Sequence, residues 1–240
     1  VEDITHRMKQ RGGGIVDMQF VKEHNMQNVW QLKVKFKTAD SMGANFINTT
    51  LEAMKKPLSN FFEVNNLKPI DIIMAILSNY TPDCLITCEV SCNINKLKPF
   101  AKNLSIEKFV QRFKQAIDIA HYNIDRATTH NKGIYNGVDA VMLATGNDFR
   151  AVEAAGHAYA CKDGQYRSLS KCSIKNNQFK MSLTLPLAVG TVGGITHLHP
   201  LASLSLDILQ KPSATELMSI ATAVGLANNF AAVSSLVTSG

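Results

Sequence analysis

The chain has 240 residues, of which 45% are hydrophobic and 18% are charged, and its formal net charge is +6. This length suits one large domain or two small ones with a sizeable core. The basic residues are scattered and aromatic residues make up only 7%, so no nucleic-acid partner is expected. A modest positive field suits small phosphate-rich ligands equally well.

No uninterrupted apolar run reaches the roughly 18 to 20 residues that a membrane span needs. The start, Val1-Glu2-Asp3, shows no charged leader and no apolar stretch of a signal peptide. We therefore expect a cytoplasmic protein with no membrane partner. The chain starts without Met and stops abruptly at Gly240, so both ends are interpreted as cuts.

Three of the five cysteines, Cys84, Cys88 and Cys92, recur every four residues in a pattern typical of a strand. Strand geometry would space successive thiols about 13 Å apart, too far for one metal ion. No Cys-x-x-Cys pair completes a zinc site. Free thiols and no metal are expected.

The first 80 residues predict a small α+β unit. A polar helix ends near Arg11, where Gly12-Gly13-Gly14 breaks it, and alternation of apolar and polar residues predicts strands over 14–20 and 29–36. A helix follows, capped by Asp40 or Ser41 and ended by Pro57 and the Asn-rich region 59–66. The apolar stretch 70–77 predicts a further strand, and a domain boundary is expected within 79–83.

The remainder predicts a larger, mostly helical domain with a few strands, so the fold class is α+β, with domains 1–80 and 81–240. We expect a strand over 83–94, a helix from Ser105, an apolar strand over 138–144 after the glycine breaks and a helix from Asn147. A hairpin over 171–187 turns at Asn176-Asn177. Helices over 200–209 and 213–236 follow, the second opened by a Ser213/Glu216 capping box.

Polar residues beside glycines are concentrated between positions 125 and 150. A Lys held beside an Asp stays protonated and can stabilise charge developing on a carbonyl oxygen. A neighbouring Arg suits a carboxylate, because its fork binds two oxygens. The residues that allow this chemistry are Arg126, Lys132, Asn136 and Asp148. Two ordinary polar loops would explain the same pattern.

Other polar features are weaker. The strand-to-helix turn 40–45 offers free N–H groups that attract phosphate, and the glycines of 189–194 allow a close ligand or merely form a tight turn. His197-x-His199 lacks a third metal ligand. His157, four residues after Glu153, is interpreted as structural.

Several of these segments together resemble the hydroxymethylglutaryl-CoA reductase family. The stretch Asp40-Ser41-Met42-Gly43-Ala44-Asn45 resembles the family's Asp-Ala-Met-Gly-(Ala/Met)-Asn cofactor motif, with Ser41 in place of Ala. The stretch 189–196 resembles its Gly-x-Val-Gly-Gly-(Ala/Gly)-Thr signature, from which Ile195 departs. Segments 126–136 and 144–157 are similar to the class II, bacterial-type form, and the matches run in order along essentially the whole chain.

The class follows from the position of one lysine. Class I enzymes place the catalytic Lys just after the segment that resembles Ser78-Asn79, where this chain has Tyr80-Thr81-Pro82-Asp83. Class II enzymes place it in His-Asn-Lys-Gly, which resembles His130-Asn131-Lys132-Gly133.

The resemblance implies four-electron reduction of the hydroxymethylglutaryl-CoA thioester to mevalonate and CoA with two NADPH or NADH, or the reverse, in a homodimer. It implies that Lys132 stabilises the oxyanion, that Asp148 holds Lys132, and that Arg126, Asn79 and Asn136 bind substrate. The dinucleotide would contact Asp40, Met42, Gly43 and Asn45. For the choice of nucleotide, His6 and Arg7 would meet a 2′-phosphate whereas Asp3 would bond a ribose hydroxyl, which slightly favours NADPH.

Two catalytic groups implied by the resemblance, a Glu in a Glu-Asn-x-x-Gly motif and a His in a C-terminal flap, are expected outside residues 1–240. These 240 residues alone are therefore expected to be inactive. Two alternatives stay open: a non-catalytic dinucleotide- or CoA-binding module, and another acyl-CoA-dependent oxidoreductase.

Overall fold

The computed structural model describes residues 2–194, 196 and 198–239, apart from the side chains of Glu2, Asp3 and Arg7. The chain divides into two compact units, Val1–Ser78 and Asn79–Gly240. The expected nucleotide-choice side chains Asp3 and Arg7, together with Ile195 and His197, lie outside the described part.

The first unit contains two helices and a two-stranded hairpin. Helix α1 (Glu2–Gln10) precedes strands β1 (Gly14–Lys22) and β2 (Trp30–Lys37), and α2 (Ala44–Val64) follows. The strands pair antiparallel, with a register shift between Ile15 and Asp17. Phe36 meets Phe46 of α2 edge to face, at 5.8 Å between ring centroids, so this ring pair joins α2 to the hairpin.

Two sequence predictions around α2 need correction. The helix continues through Pro57 and ends at Val64, inside the Asn-rich region 59–66 that was expected to end it. Neither Asp40 nor Ser41 caps it. Gly43 is the N-cap, with φ 81°, while the Ser41 hydroxyl donates to the Thr38 carbonyl at 2.9 Å.

The apolar stretch 70–77 was predicted to be a strand and is not one, since it joins no ladder in the described part of the chain. The Leu77 N–H of this stretch donates to Asn48 Oδ1 of α2 at 2.9 Å. Ile73 and Ile76 are 76% and 66% exposed. Apolar content without a partner edge does not make a strand.

The second unit is built from a three-stranded antiparallel sheet and five α-helices of the described residues. Its strand order is β3-β5-β4. The elements are β3 (Leu85–Asn93), a 3-10 helix (Ile94–Phe100), α3 (Ile106–Tyr122), α4 (Ile124–Ala144), α5 (Phe149–Ala160), β4 (Ser170–Lys175), β5 (Gln178–Pro186), α6 (Pro200–Ile208) and α7 (Ala214–Thr238). The α+β fold class is thereby confirmed.

Most local predictions in this unit are confirmed. Asn176 and Asn177 make the hairpin turn with φ 50° and 57°, and the Ser213/Glu216 capping box opens α7. Ser105 caps α3 through Lys108 N. The five cysteines are free thiols, and β3 carries Cys88 and Cys92 as expected.

The stretch around Gly133 and Gly137 was predicted to be broken, with a strand over 138–144, but it is one continuous helix. A Cβ at Gly137 would lie 2.9 Å from the Val224 carbonyl and 3.2 Å from Gly225 Cα of α7. At Gly133 a Cβ would meet nothing within 4 Å. The glycine at 137 therefore serves close approach of α4 and α7, not a chain break.

Helix α7 is long and apolar enough, by composition alone, to cross a membrane, which the search for uninterrupted apolar runs missed. Leu217, Ala221 and Leu226 are buried in the core shared with α4 and the sheet. A core position explains the same composition, since a helix buried on several sides becomes apolar all round.

We predict that Gly137→Ala lowers the free energy of unfolding by about 1–3 kcal/mol, because the added methyl overpacks the α4–α7 crossing. Gly133→Ala is the matched control on the same helix, and it should raise stability by about 0.5–1 kcal/mol through helix propensity. Denaturant unfolding of both variants measures the difference. Equal effects would mean that the crossing tolerates a side chain.

Candidate active site

Helix α4 presents two of the expected site residues side by side. Lys132 and Asn136 lie one turn apart on an exposed stretch of its surface. Arg126, six residues before Lys132, is half-buried and lies about 120° around the helix. In the described part of the chain Lys132 makes no ion pair or side-chain hydrogen bond, so its ammonium is free for an incoming ligand.

The residues just before Lys132 hold α4 in place through buried hydrogen bonds. Asn131 is fully buried; its Nδ2 donates to the Arg167 carbonyl at 2.8 Å and its Oδ1 accepts from Leu169 N at 3.0 Å. The Asn131 amide thus bonds a backbone carbonyl and a backbone N–H of the segment that leads into β4. These two bonds fix α4 against that segment. Lys132, one residue on, is thereby held facing outward.

His130 completes a buried polar chain across three elements. Its Nε2 lies 2.7 Å from Ser170 Oγ, and that hydroxyl donates to Asn229 Oδ1 of α7 at 2.9 Å. Since the Ser170 proton is used on Asn229, His130 Nε2 must be the donor to Ser170. Burial, with a smaller contribution from the Arg126 charge, lowers the pKa of His130 to about 4, so the imidazole is neutral at pH 7. Sequence reasoning gave His130 and Asn131 no role, although both continue the buried face of α4.

Asp148 lies at the start of α5, where its carboxylate accepts from Arg150 N at 3.1 Å and Ala151 N at 3.2 Å. It also pairs with Arg150 Nε at 3.3 Å, and its side chain is 38% exposed. Asn147 beside it exchanges two hydrogen bonds with Gly190: Gly190 N donates to Oδ1 at 2.8 Å and Nδ2 donates to Gly190 O at 3.1 Å. The glycine-rich segment is thus tied to the turn that carries Asp148.

The expected Lys132–Asp148 ion pair does not form within one chain. Tyr135 of α4 packs on His157 of α5, at 5.2 Å between ring centroids, and one turn further along α4 Asp139 meets Glu153, so the two helices run antiparallel. Lys132 precedes Asp139 by seven residues and Asp148 precedes Glu153 by five. At a rise of about 1.5 Å per residue the two side chains start about 18 Å apart along the axes.

The expected cofactor residues lie on the turn between β2 and α2. Asp40 and Asn45 are exposed, and Met42 is half-buried. A Cβ at Gly43 would lie 2.4 Å from Thr38 Cγ2, and φ is +81° there, so glycine is required. With no side-chain cap and no acidic residue in the first turn of α2, this N-terminus favours an anionic ligand. Asn79 is the exposed first residue of the second unit.

Two further histidines, His157 and His199, were considered in the sequence. His157 Nδ1 bonds the Tyr166 hydroxyl at 2.7 Å, so its partner is Tyr166 rather than Glu153, although its structural interpretation fits. His199 is the N-cap position of α6 without a side-chain bond. Among the described residues, no group of three or more His, Cys, Asp or Glu could hold a metal.

Comparison with known proteins gives one consistent answer. The family model for hydroxymethylglutaryl-coenzyme A reductase matches residues 1–240. A probable 3-hydroxy-3-methylglutaryl-coenzyme A reductase of Borreliella burgdorferi is 33% identical over 100% of this chain and 54% of its own length. The reductase of Archaeoglobus fulgidus is 37% identical over 84% of this chain and 43% of its own. The chain thus spans about half the length of these relatives.

The solved structures agree with the sequence relatives. A class II 3-hydroxy-3-methylglutaryl-CoA reductase of Streptococcus pneumoniae, bound to NADPH in open conformations, superimposes with a TM-score of 0.89 at 36% identity, covering 99% of this chain and 63% of that one. The chain belongs to the hydroxymethylglutaryl-coenzyme A reductase family. The solved relative that it resembles over nearly its whole length is of the class II form, which the position of Lys132 had indicated.

We predict that His130→Gln removes part of the acid sensitivity of folding. The pKa of His130 is lowered in the fold, so the unfolded chain takes up its proton first, and stability falls as pH drops from 6.5 towards about 4. A Gln amide can donate to Ser170 without titrating, so the variant should lack a loss on the order of 2 kcal/mol at the acid end. Denaturant unfolding across this pH range measures it; identical slopes for both proteins would contradict the buried neutral imidazole.

Proposed function

We propose that the protein to which this chain belongs reduces the thioester of hydroxymethylglutaryl-CoA to mevalonate and CoA with two molecules of NADPH or NADH, or runs the reverse, in the cytoplasm. The observation that carries this is a free lysine, Lys132, presented beside Asn136 on a helix that buried His130 and Asn131 hold in place. Family membership supplies the substrate class.

The side chains have complementary tasks in this proposal. As hydride reaches the thioester carbon, and later the aldehyde carbon, negative charge develops on the carbonyl oxygen, and the Lys132 ammonium stabilises it. Arg126 binds the free carboxylate of the substrate through its two-pronged guanidinium. Asn136 and Asn79 donate and accept hydrogen bonds that orient the substrate, and Asp148 keeps Lys132 charged.

The site is proposed to form between two copies of the chain. Lys132 and Asp148 of one chain start about 18 Å apart along the α4–α5 hairpin, far beyond the roughly 4 Å of a salt bridge. An isologous homodimer would bring Lys132 of one copy to Asp148 of the other, and would repeat the pairing by symmetry. Each hairpin then contributes one catalytic side chain to each of two sites.

The nicotinamide cofactor is proposed to bind at the turn that carries Asp40, Met42, Gly43 and Asn45. The uncapped N-terminus of α2 offers N–H groups to a pyrophosphate, and the left-handed Gly43 allows the backbone to approach. The Streptococcus pneumoniae relative was solved with NADPH, which favours the same nucleotide here over NADH.

We predict that Lys132→Ala in the full-length protein lowers kcat by at least about 100-fold with hydroxymethylglutaryl-CoA, because the developing oxyanion loses its cation. Lys108→Ala, which removes an exposed lysine of α3, is the control and should keep wild-type rates. Consumption of NADPH followed at steady state measures both. Intact reduction in Lys132→Ala would favour a binding module or a different oxidoreductase.

A second prediction concerns the shared site. Lys132→Ala and Asp148→Asn proteins should each be inactive, the latter keeping its cap on α5 because an Asn oxygen also accepts. Unfolded together and refolded as a mixture, they should regain about a quarter of wild-type activity, since half of the dimers then hold one intact site. No recovery from a mixture that does form dimers would mean that both side chains serve one site from one chain.

A further inference from the structure

The two helices that carry Lys132 and Asp148 meet through a pair of carboxyl groups that the proposed reaction does not use. Asp139 of α4 and Glu153 of α5 lie within hydrogen-bond reach of each other. Asp139 Oδ1 is buried and has no N–H or O–H donor in the described part of the chain. Two carboxylates cannot donate to one another, so a hydrogen bond between them forms only when one of them carries a proton.

The packing of α4 against α5 determines where the Asp139–Glu153 pair lies. Tyr135, one turn before Asp139, is buried, and its hydroxyl presses on α5 where a Cβ at Gly156 would clash with it. Its ring lies 5.2 Å from that of His157. Asp139 and Glu153 are therefore the next layer of the same α4–α5 contact, one turn towards the Asp148 end.

The charges near the pair offer no compensation. Burial and Glu153, through its charge and its hydrogen bond, raise the pKa of Asp139 to about 7. Beside it in the α4–α5 contact is Tyr135, whose pKa is raised first by burial and then by Tyr166, Asp139 and Glu153. On the other elements packed against α4 and α5, Lys114 pairs with Asp118, Lys180 with Glu89 and Lys211 with Asp207. Arg112 donates to the Val237 carbonyl, Glu216 bonds Ser213, and Glu107 and Lys108 are exposed.

On α4, Lys132, Asn136 and Asp139 follow one another at spacings of four and three residues, so they share one face of the helix. The Asp139 end of this face is clamped to α5, and Lys132 at the other end is free. We infer that Asp139 and Glu153 are positioning residues that share one proton and thereby set the orientation in which α4 presents Lys132 and Asn136.

This inference rests on the proposed function only for its catalytic consequence. When the shared proton is lost, two adjacent carboxylates repel each other across the helix contact. The clamp is then released while the rest of the unit stays folded, and the face that carries Lys132 loses its fixed orientation. The consequence is a rate that depends on a proton held away from the reacting atoms.

The decisive variant in the full-length protein is Asp139→Asn, because an amide donates to Glu153 at every pH. The pKa of Asp139 is raised in the folded protein, so its protonated form stabilises the fold. This stabilisation is fully present below pH 3.8 and is lost as pH rises through about 7. Raising the pH from about 6.5 to about 8.5 should lower the wild-type Tm in thermal unfolding, and any contribution of His130 cancels because both proteins retain it. The Asp139→Asn Tm should fall less, and Asp163→Asn, an exposed site after α5, should follow wild type. Equal slopes for Asp139→Asn and wild type would overturn the shared proton.

The catalytic arm uses the same variants. The ratio of kcat for Asp139→Asn to that of wild type should rise several-fold, roughly 3- to 10-fold, from about pH 6.5 to about pH 8.5, with KM for both substrates within about 2-fold. Glu153→Gln, whose amide donates to Asp139, should behave alike, whereas Asp139→Ala should lower kcat at all pH values. A ratio that stays flat with pH would overturn the positioning role even if the unfolding arm succeeds. If the wild-type protein itself does not reduce hydroxymethylglutaryl-CoA, the proposed function is contradicted. The unfolding measurements would still test the shared proton, because they need no turnover.

Discussion

The close packing of α4 is the constraint on which the rest of the second unit depends. Its glycine at 137 lets α7 approach until backbone meets backbone, and Asn228 of α7 donates to the Gly133 carbonyl. On other sides, His130 and Asn131 bond β4 and the segment before it. A helix held in this way cannot rotate, so its exposed face has a fixed direction. A lysine on that face is oriented before a ligand binds, so no binding energy is needed to orient it.

Buried polar groups do this positioning because their partners are specific. Apolar contacts stabilise a helix in several rotations of similar energy, whereas an amide such as Asn131, which bonds both a carbonyl and an N–H, is satisfied in only one. The neutrality of His130 follows from the same logic, since an uncompensated charge in that position would be costly. The Asp139–Glu153 pair differs in one respect: its bond depends on a proton, so it adds pH dependence to an otherwise fixed arrangement.

The antiparallel run of α4 and α5 imposes a second consequence. Residues that are neighbours in the motif pattern, Lys132 and Asp148, are carried to opposite ends of a helical hairpin. In the proposed chemistry a single copy would hold two half-sites, so the proposal requires two copies to pair. Asn147 contributes by fixing the glycine-rich segment beside the Asp148 end, a role that no spacing in the sequence signals.

The sequence by itself determined the local features whose causes are local. Alternation gave β1 and β2, paired asparagines gave the β4–β5 turn, and Ser213 with Glu216 gave the start of α7, because each rests on residues within a few positions. Motif resemblance identified the family, and it is the basis for proposing Lys132 as the catalytic lysine. Tertiary structure alone decided whether Gly137 breaks a helix or fits one, and whether the apolar stretch 70–77 becomes a strand. Each of those outcomes depends on a partner far away in the chain, such as Val224 against Gly137, or on its absence, and no short window of sequence contains that information.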